Sequence, residues 1–282
     1  MHILTFDIEE WFHLLDFDQT SSEKSWSGFP VRIYENVDRI LNILEETNCK
    51  ATFFIIGWIA QKYPDIVKRI SEKYEIGSHT YSHQLVWQQK PSVFKEDVQK
   101  SITLLEDITG KKVTAFRAPG FSVRKSEGWA FEILSSLGIT TDCSVFPAHH
   151  AHGGMPEYPS QLPSIITLNG TTIKEFPIPT KTIFGKHIVF SGGGYFRLFP
   201  YSLIKKWSLE HRDYMMAYIH PRDLDAGQPM LKNLPLTRKF KSYYGLSSAE
   251  EKLRKYLTDF PFTDVRSAEK EILWHNMPTI TL

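Results

Sequence analysis

The sequence predicts an α/β fold: a single-domain, distorted (β/α)7 barrel of the TIM type. Three observations lead there. Short apolar runs, such as HILTFDI at 2–8 and ATFFIIG at 51–57, alternate with stretches whose apolar residues recur at helical spacing, such as Val37, Ile40, Leu41 and Leu44. Glycine and proline punctuate the alternation. Residues capable of chemistry stand at the ends of the runs: Asp7 and Glu9, His79 and His83, Arg117, and His220. A barrel of parallel strands gathers the C-terminal ends of its strands on one face, where barrel enzymes place their active sites.

Each element follows from local pattern. Residues 2–8 read as a buried strand, 16–30 as a Ser- and Asp-rich loop, and 34–47 as an amphipathic helix. The run 51–57 is a strand closed by glycine, 59–74 a helix with Pro64 near a turn or kink, and 75–79 a short strand. Pro91–Thr109 is a helix, with proline suited to its first turn and Gly110 to its C-cap. Residues 114–120 are a strand running into a turn, 126–137 a helix stopped by Gly138, and 139–145 a strand. The stretch 147–169 lacks a clear period and reads as a long loop. Segments 173–178 and 187–190 are strand-like, 191–198 a glycine turn, 200–211 a helix and 214–220 a strand. An amphipathic helix at 247–258 and a final strand at 262–268 complete about seven β–α units, with 231–282 as an extension packed on the barrel. There is no internal repeat and no linker that would divide 1–282.

Composition narrows the function classes. The chain has 282 residues, 41% of them apolar and 23% charged, an ordinary globular balance. With 33 basic against 32 acidic residues the net charge is +1, which gives no electrostatic case for nucleic acid. Cys49 and Cys143 make no disulfide framework and read as two reduced, buried thiols. No apolar run approaches the ~18 residues of a membrane span. The opening MHILTFDIEEWF has no basic leader, so the expected address is the cytoplasm. Aromatic residues are abundant at 13%; most serve the core, though aromatic floors also suit sugar rings.

The polar residues suggest metal-assisted hydrolysis. His79 and His83 are four apart and can grip one metal ion from one face of a helix or first turn. Asp7 and Glu9 are two apart on a strand and face one side, so one can be a ligand and the other a general base. An arginine beside a carboxylate orients it, which suits Arg117. A histidine at a strand end, His220, is a candidate general acid. Asp142 is placed to hydrogen-bond that imidazole or the arginine. The cluster His149, His150 and His152 reads as a mobile loop rather than a metal tract.

Five motifs in order, TFDIEEW, SHTYSH, RAPG, TTDCSVFP and YIHP, resemble the polysaccharide deacetylase family, the NodB-homology or family-four carbohydrate esterases. The resemblance covers about residues 1–225. GGGYFRLFPY at 192–201 and the tail KFKSYYGLSSAEEKLRKYL are similar to a subgroup found with exopolysaccharide, capsule and O-antigen biosynthesis. It implies Asp7 as catalytic base, Arg117 as its orienting partner, Asp142 as the fourth-motif residue and His220 as general acid. A divalent metal, zinc or another such as Co2+ or Ni2+, would be held by Glu9, His79 and His83. The usual first motif has two adjacent aspartates; Ile8 stands in the second place, which moves the expected ligand to Glu9 in preference to Glu10. Gly120, Phe121, Trp11, His150, Tyr195 and Arg197 are the expected substrate contacts. The loop 147–155 lacks the arginine common in the subgroup.

The implied reaction is removal of acetate from an N-acetylated amino sugar, whether nucleotide-linked, lipid-linked or oligomeric. Two other readings stand beside it. One is hydrolysis of a cyclic amide, and the other a non-catalytic sugar-binding protein with a structural metal.

Overall fold

A computed structural model of the chain describes residues 1–15, 17–20, 22–231 and 234–282, the side chain of Asp18 apart. Asp16 and Ser21, in the stretch read as a loop at 16–30, lie outside the described residues. The first half contains β1 (His2–Ile8), α1 (Glu23–Trp26), α2 (Ile33–Thr47), β2 (Thr52–Ile55), α3 (Gly57–Lys62), α4 (Pro64–Lys73), β3 (Glu75–Ser78), α5 (Pro91–Thr109), β4 (Ala115–Phe116), α6 (Trp129–Ser136) and β5 (Thr141–Asp142). The second contains β6 (Ser164–Leu168), β7 (Thr171–Glu175), β8 (Lys181–Ile183), β9 (Lys186–Ile188), α7 (Gly193–Leu198), α8 (Tyr201–Glu210), β10 (Met215–Ile219), α9 (Leu236–Tyr243), α10 (Leu246–Asp259), β11 (Phe262–Thr263), α11 (Val265–Glu271) and β12 (Thr279–Thr281).

Seven strands run parallel in the order β10-β1-β2-β3-β4-β5-β7. β6 then pairs antiparallel with β7, β12 parallel with β6, and β11 lies beside the start of β1. The two ends of the parallel run meet: Tyr214, just before β10, donates its hydroxyl to the carbonyl oxygen of Pro177, just after β7, at 2.8 Å. Ile3, Phe54, Cys143, Phe176 and Met216, drawn from right around this run, pack into one interior cluster. Leu4, Phe6, Phe53 and Ile55 face the other way, into the larger core that also holds Val37, Ile70, Val98 and Leu134 of the helices. Both faces of the strands are therefore apolar, as a parallel sheet covered by helices requires. The alternation also puts Thr5 and Asp7 on the interior side with Ile3.

Local chemistry sets the boundaries. Pro64 splits the helix expected at 59–74 into α3 and α4, because proline at a first turn starts a helix more easily than it continues one. Gly110 ends α5 in the left-handed conformation, as its C-cap position requires. Four expectations are corrected. The long loop expected at 147–169 ends in β6, paired with β7, and the loop expected at 16–30 contains α1. The glycine turn at 191–198 closes into α7 from Gly193 onward. The final strand at 262–268 is only the two residues of β11 before Asp264 caps α11, accepting from the Ser267 N–H at 2.6 Å. α9 and β12 were not visible in the pattern.

Candidate active site

The C-terminal ends of the parallel strands carry the site. Asp7 and Glu9 leave β1, His79 follows β3, Arg117 follows β4 and His220 follows β10. Asp7, Glu9, His79 and His220, with His83, border a cavity of about 730 Å³.

Arg117 is fully buried in the barrel interior, its guanidinium 4.4 Å above the Phe54 ring. One terminal nitrogen donates to Asp7 Oδ1 and to the Thr5 hydroxyl, both at 2.7 Å, and Nε donates to the carbonyl of Cys143 at 3.2 Å. Asp7 Oδ1 is thus committed, while Oδ2 faces Nε2 of His220 at 3.8 Å.

His79 and His83 do meet, but not through a helix. Residues 79–85 form a bend in which Thr80 (φ 64°) and His83 (φ 54°) are left-handed. Such a conformation is costly for a β-branched threonine and persists only where surroundings enforce it. Asp97 of α5 enforces it by accepting the backbone N–H groups of Tyr81 at 2.7 Å and Ser82 at 3.0 Å. The Thr80 hydroxyl accepts the His83 N–H at 3.1 Å.

Glu9 Oε1 lies 3.2 Å from His79 Nε2 and 2.9 Å from His83 Nε2. His79 Nδ1 lies 2.7 Å from the Arg117 carbonyl, which can only accept, so Nδ1 carries the proton. In a neutral imidazole Nε2 is then a lone pair aimed at another lone pair, an arrangement that calls for a cation between them. One ligand atom from each of Glu9, His79 and His83 lies within 4.8 Å of the others, so the donor set fits a divalent metal. Burial opposes ionisation of Glu9, but His83, His220 and His79 together hold its pKa well below the usual range. Glu10 is occupied elsewhere: its Oε1 accepts the N–H groups of Arg32 and Ile33 at 2.8 and 2.9 Å, at the start of α2.

His220 is held by Asp223, a residue the sequence reading passed over. Asp223 Oδ2 accepts from both Nδ1 (2.9 Å) and the backbone N–H (3.0 Å) of His220. Burial disfavours the imidazolium, yet Glu9, Asp223 and Asp7 outweigh it and raise the pKa to about 9. The signal was present in IHPRD, an acid three residues after the histidine that closes a capping box over a short 3-10 turn.

Several expected positions sit differently. Asp142 touches neither His220 nor Arg117; it accepts from the Ser144 hydroxyl (2.7 Å) and N–H (2.9 Å) and stands beside Glu175 across β5 and β7. Arg197 borders the cavity, but its donors are turned to protein groups. It donates to Asp223 Oδ1 at 2.9 Å and to the carbonyls of Tyr244 and Lys241 at 2.5 and 2.9 Å. Trp11 is core, with its indole N–H on the Pro30 carbonyl at 2.9 Å. Gly120, Phe121, His150 and Tyr195 do border the cavity. Gly120 has φ 60°, and a Cβ there would come within 2.8 Å of His152 and Leu15. Burial, with His152 adding to it, lowers the pKa of His150 to about 4 and keeps it neutral.

Residues 13–141 match the polysaccharide deacetylase family model, and residues 143–270 match a domain of unknown function, DUF3473. The chain is 35% identical over 100 residues to a peptidoglycan-N-acetylglucosamine deacetylase of Bacillus cereus, covering 35% of this chain and 36% of the relative. It is 36% identical over 112 residues to the peptidoglycan deacetylase-like protein FGM2 of Gibberella zeae, covering 39% and 32%. The chain thus spans about a third of the length of these curated relatives. A crystal structure from Mycobacterium smegmatis, assigned as a polysaccharide deacetylase, shares the fold at TM-score 0.69 and 17% identity, covering 100% of this chain and 92% of that one. The site draws on both matched stretches and on β1, which precedes them: His79, His83 and Arg117 lie in the first, His220 and Asp223 in the second.

Proposed function

We propose that the chain, whose residues 13–141 match the polysaccharide deacetylase family model, is a metal-dependent hydrolase that removes the acetyl group from an N-acetylated amino sugar during assembly of a surface polysaccharide or glycolipid. One observation supports this above the others. Two proton-handling groups of opposite character, the Asp7 carboxylate and the His220 imidazole, meet beside the Glu9–His79–His83 cluster. His220 Nε2 is 3.8 Å from Asp7 Oδ2 and 3.9 Å from Glu9 Oε1. A structural metal site has no use for such a pair, and amide hydrolysis needs both.

Glu9, His79 and His83 would hold the divalent cation, whose chemistry is Lewis acidity toward the acetyl carbonyl and the attacking water. Asp7 takes the proton of that water through Oδ2, since Arg117 occupies Oδ1. His220 donates a proton from Nε2 to the departing amine, a poor leaving group until protonated. Its Nδ1–H stays on Asp223, which fixes the ring and favours the doubly protonated state the donation requires. Phe121 and Tyr218, in edge-to-face contact at 4.9 Å, wall the cavity beside these groups and exclude water from them.

The test is acetate release from nucleotide-linked, lipid-linked and oligomeric N-acetylated sugars and from peptidoglycan. Metal-loaded protein is compared with chelated protein and with Asp7→Asn. Acetate that disappears in both controls supports the proposal, and its absence from every substrate with metal bound overturns it.

A further inference from the structure

α9 wears its amphipathicity inside out. Its buried residue is Ser242, whereas Leu236 and Phe240, four apart and therefore on one face, are 84% and 52% exposed. Phe240 stacks obliquely on the exposed Tyr244 with ring centroids 4.7 Å apart. Tyr195 and Leu198 of α7 are exposed beside the same cavity mouth. Across it, His187–Val189 join the lining, and the turn of the β8–β9 hairpin that carries them holds a fully exposed Phe184. Large apolar side chains in open water around one opening mark an interaction surface.

The charges say what that surface meets. Residues 181–188 (KTIFGKHI) and 234–244 (LPLTRKFKSYY) contain no acid, in a chain with 32 acids against 33 bases. They contribute Lys181, Lys186, Arg238, Lys239 and Lys241, of which Lys186, Lys239 and Lys241 are exposed. Exposed aromatic and leucine side chains flanked by lysines match the interfacial zone of an anionic bilayer, which accepts the apolar groups below its headgroups and the cations among them. Among the described residues no helix is long and apolar enough to cross a membrane, so the contact would be peripheral.

We propose that the rim formed by α9, the exposed face of α7 and the β8–β9 hairpin docks on an anionic phospholipid surface. Docking would set the cavity mouth against the bilayer. The consequence rests on the deacetylase reading: the substrate is an amino sugar carried on a membrane lipid, its phosphate met by the rim lysines and its chain by Leu236, Phe240 and Phe184.

The full chain is sedimented with phosphatidylcholine vesicles and with vesicles containing phosphatidylglycerol. Binding to the anionic vesicles alone is expected, weakened by salt, and about tenfold weaker in Leu236→Glu and in Phe184→Glu. Circular dichroism and metal stoichiometry confirm the fold of each variant, and because Phe184 sits at a hairpin turn, its variant remains informative if Leu236→Glu misfolds. No sedimentation, equal binding to neutral vesicles, or variants that bind like the parent would overturn the proposal. So would a dimer that Leu236→Glu dissociates, which would put a second copy on this face. Acetate release from a water-soluble N-acetylated oligomer is measured in parallel. Vesicle binding without acetate would sink the activity and spare the docking face, and acetate without vesicle binding would do the reverse.

Discussion

Asp223 grips His220 at two points, the ring Nδ1 at 2.9 Å and the backbone N–H at 3.0 Å, and is itself held by Arg197 at 2.9 Å. Arg197 in turn rests on the carbonyls of Lys241 and Tyr244, at the end of α9. His220 is therefore positioned by a chain of contacts reaching the C-terminal part of the protein, far in sequence from Glu9, His79 and His83.

Asp223→Asn tests the electrostatic half of that arrangement. Asp223 is one of the charges that raise the pKa of His220 to about 9, so neutralising it lets that pKa fall. The imidazolium is then lost at lower pH. The alkaline limb of the kcat profile should move to lower pH, with kcat near neutrality reduced about tenfold. An unmoved limb would remove His220 from the role of acid.

Arg197→Met separates positioning from substrate contact. A residue acting through Asp223 should lower kcat by about tenfold with little change in KM, whereas a substrate contact would raise KM. Steady-state kinetics on one soluble substrate distinguishes them, and a KM effect alone would restore the role expected from sequence.

Glu9 and Glu10 should part company. Glu9→Gln is expected to lose most bound metal, read by elemental analysis after dialysis. Glu10→Ala should keep the metal and lose about 1–2 kcal/mol of stability, because the Arg32 and Ile33 N–H groups at the start of α2 lose their acceptor. The reverse pattern would exchange their roles.

Glu175→Gln should stabilise the protein, and more so at higher pH. Burial, then the neighbouring Asp142, raises the Glu175 pKa well above its ordinary 4.5. Above that ordinary value the unfolded chain has released this proton and folding must take it up again, so parental stability falls as pH rises. Glutamine needs no proton. The gain in urea unfolding should be larger at pH 8 than at pH 5. An equal gain at both would mean the carboxyl is ionised in the fold.

The sequence by itself determined the parallel β–α framework and the residues at its strand ends, Asp7 and Glu9 among them. Period-two alternation on β1 puts Asp7 and Glu9 on one side, and Pro91 and Gly110 bound α5 whatever packs around it. Those signals are local. What only the tertiary structure decided is which side chains meet across the barrel. Asp142 is a short acid at a strand end, and nothing in its neighbourhood shows that it faces Glu175, whereas Asp223 stands three residues after His220 and carries a local capping signal. The bend that joins His79 to His83 depends on Asp97, supplied by a helix packed from outside the motif. α9 escaped notice because its apolar face covers no core, and a pattern reading assumes that apolar faces point inward. Local backbone preference is written within a few residues, whereas partnership between distant side chains exists only once the strands have closed around a common interior.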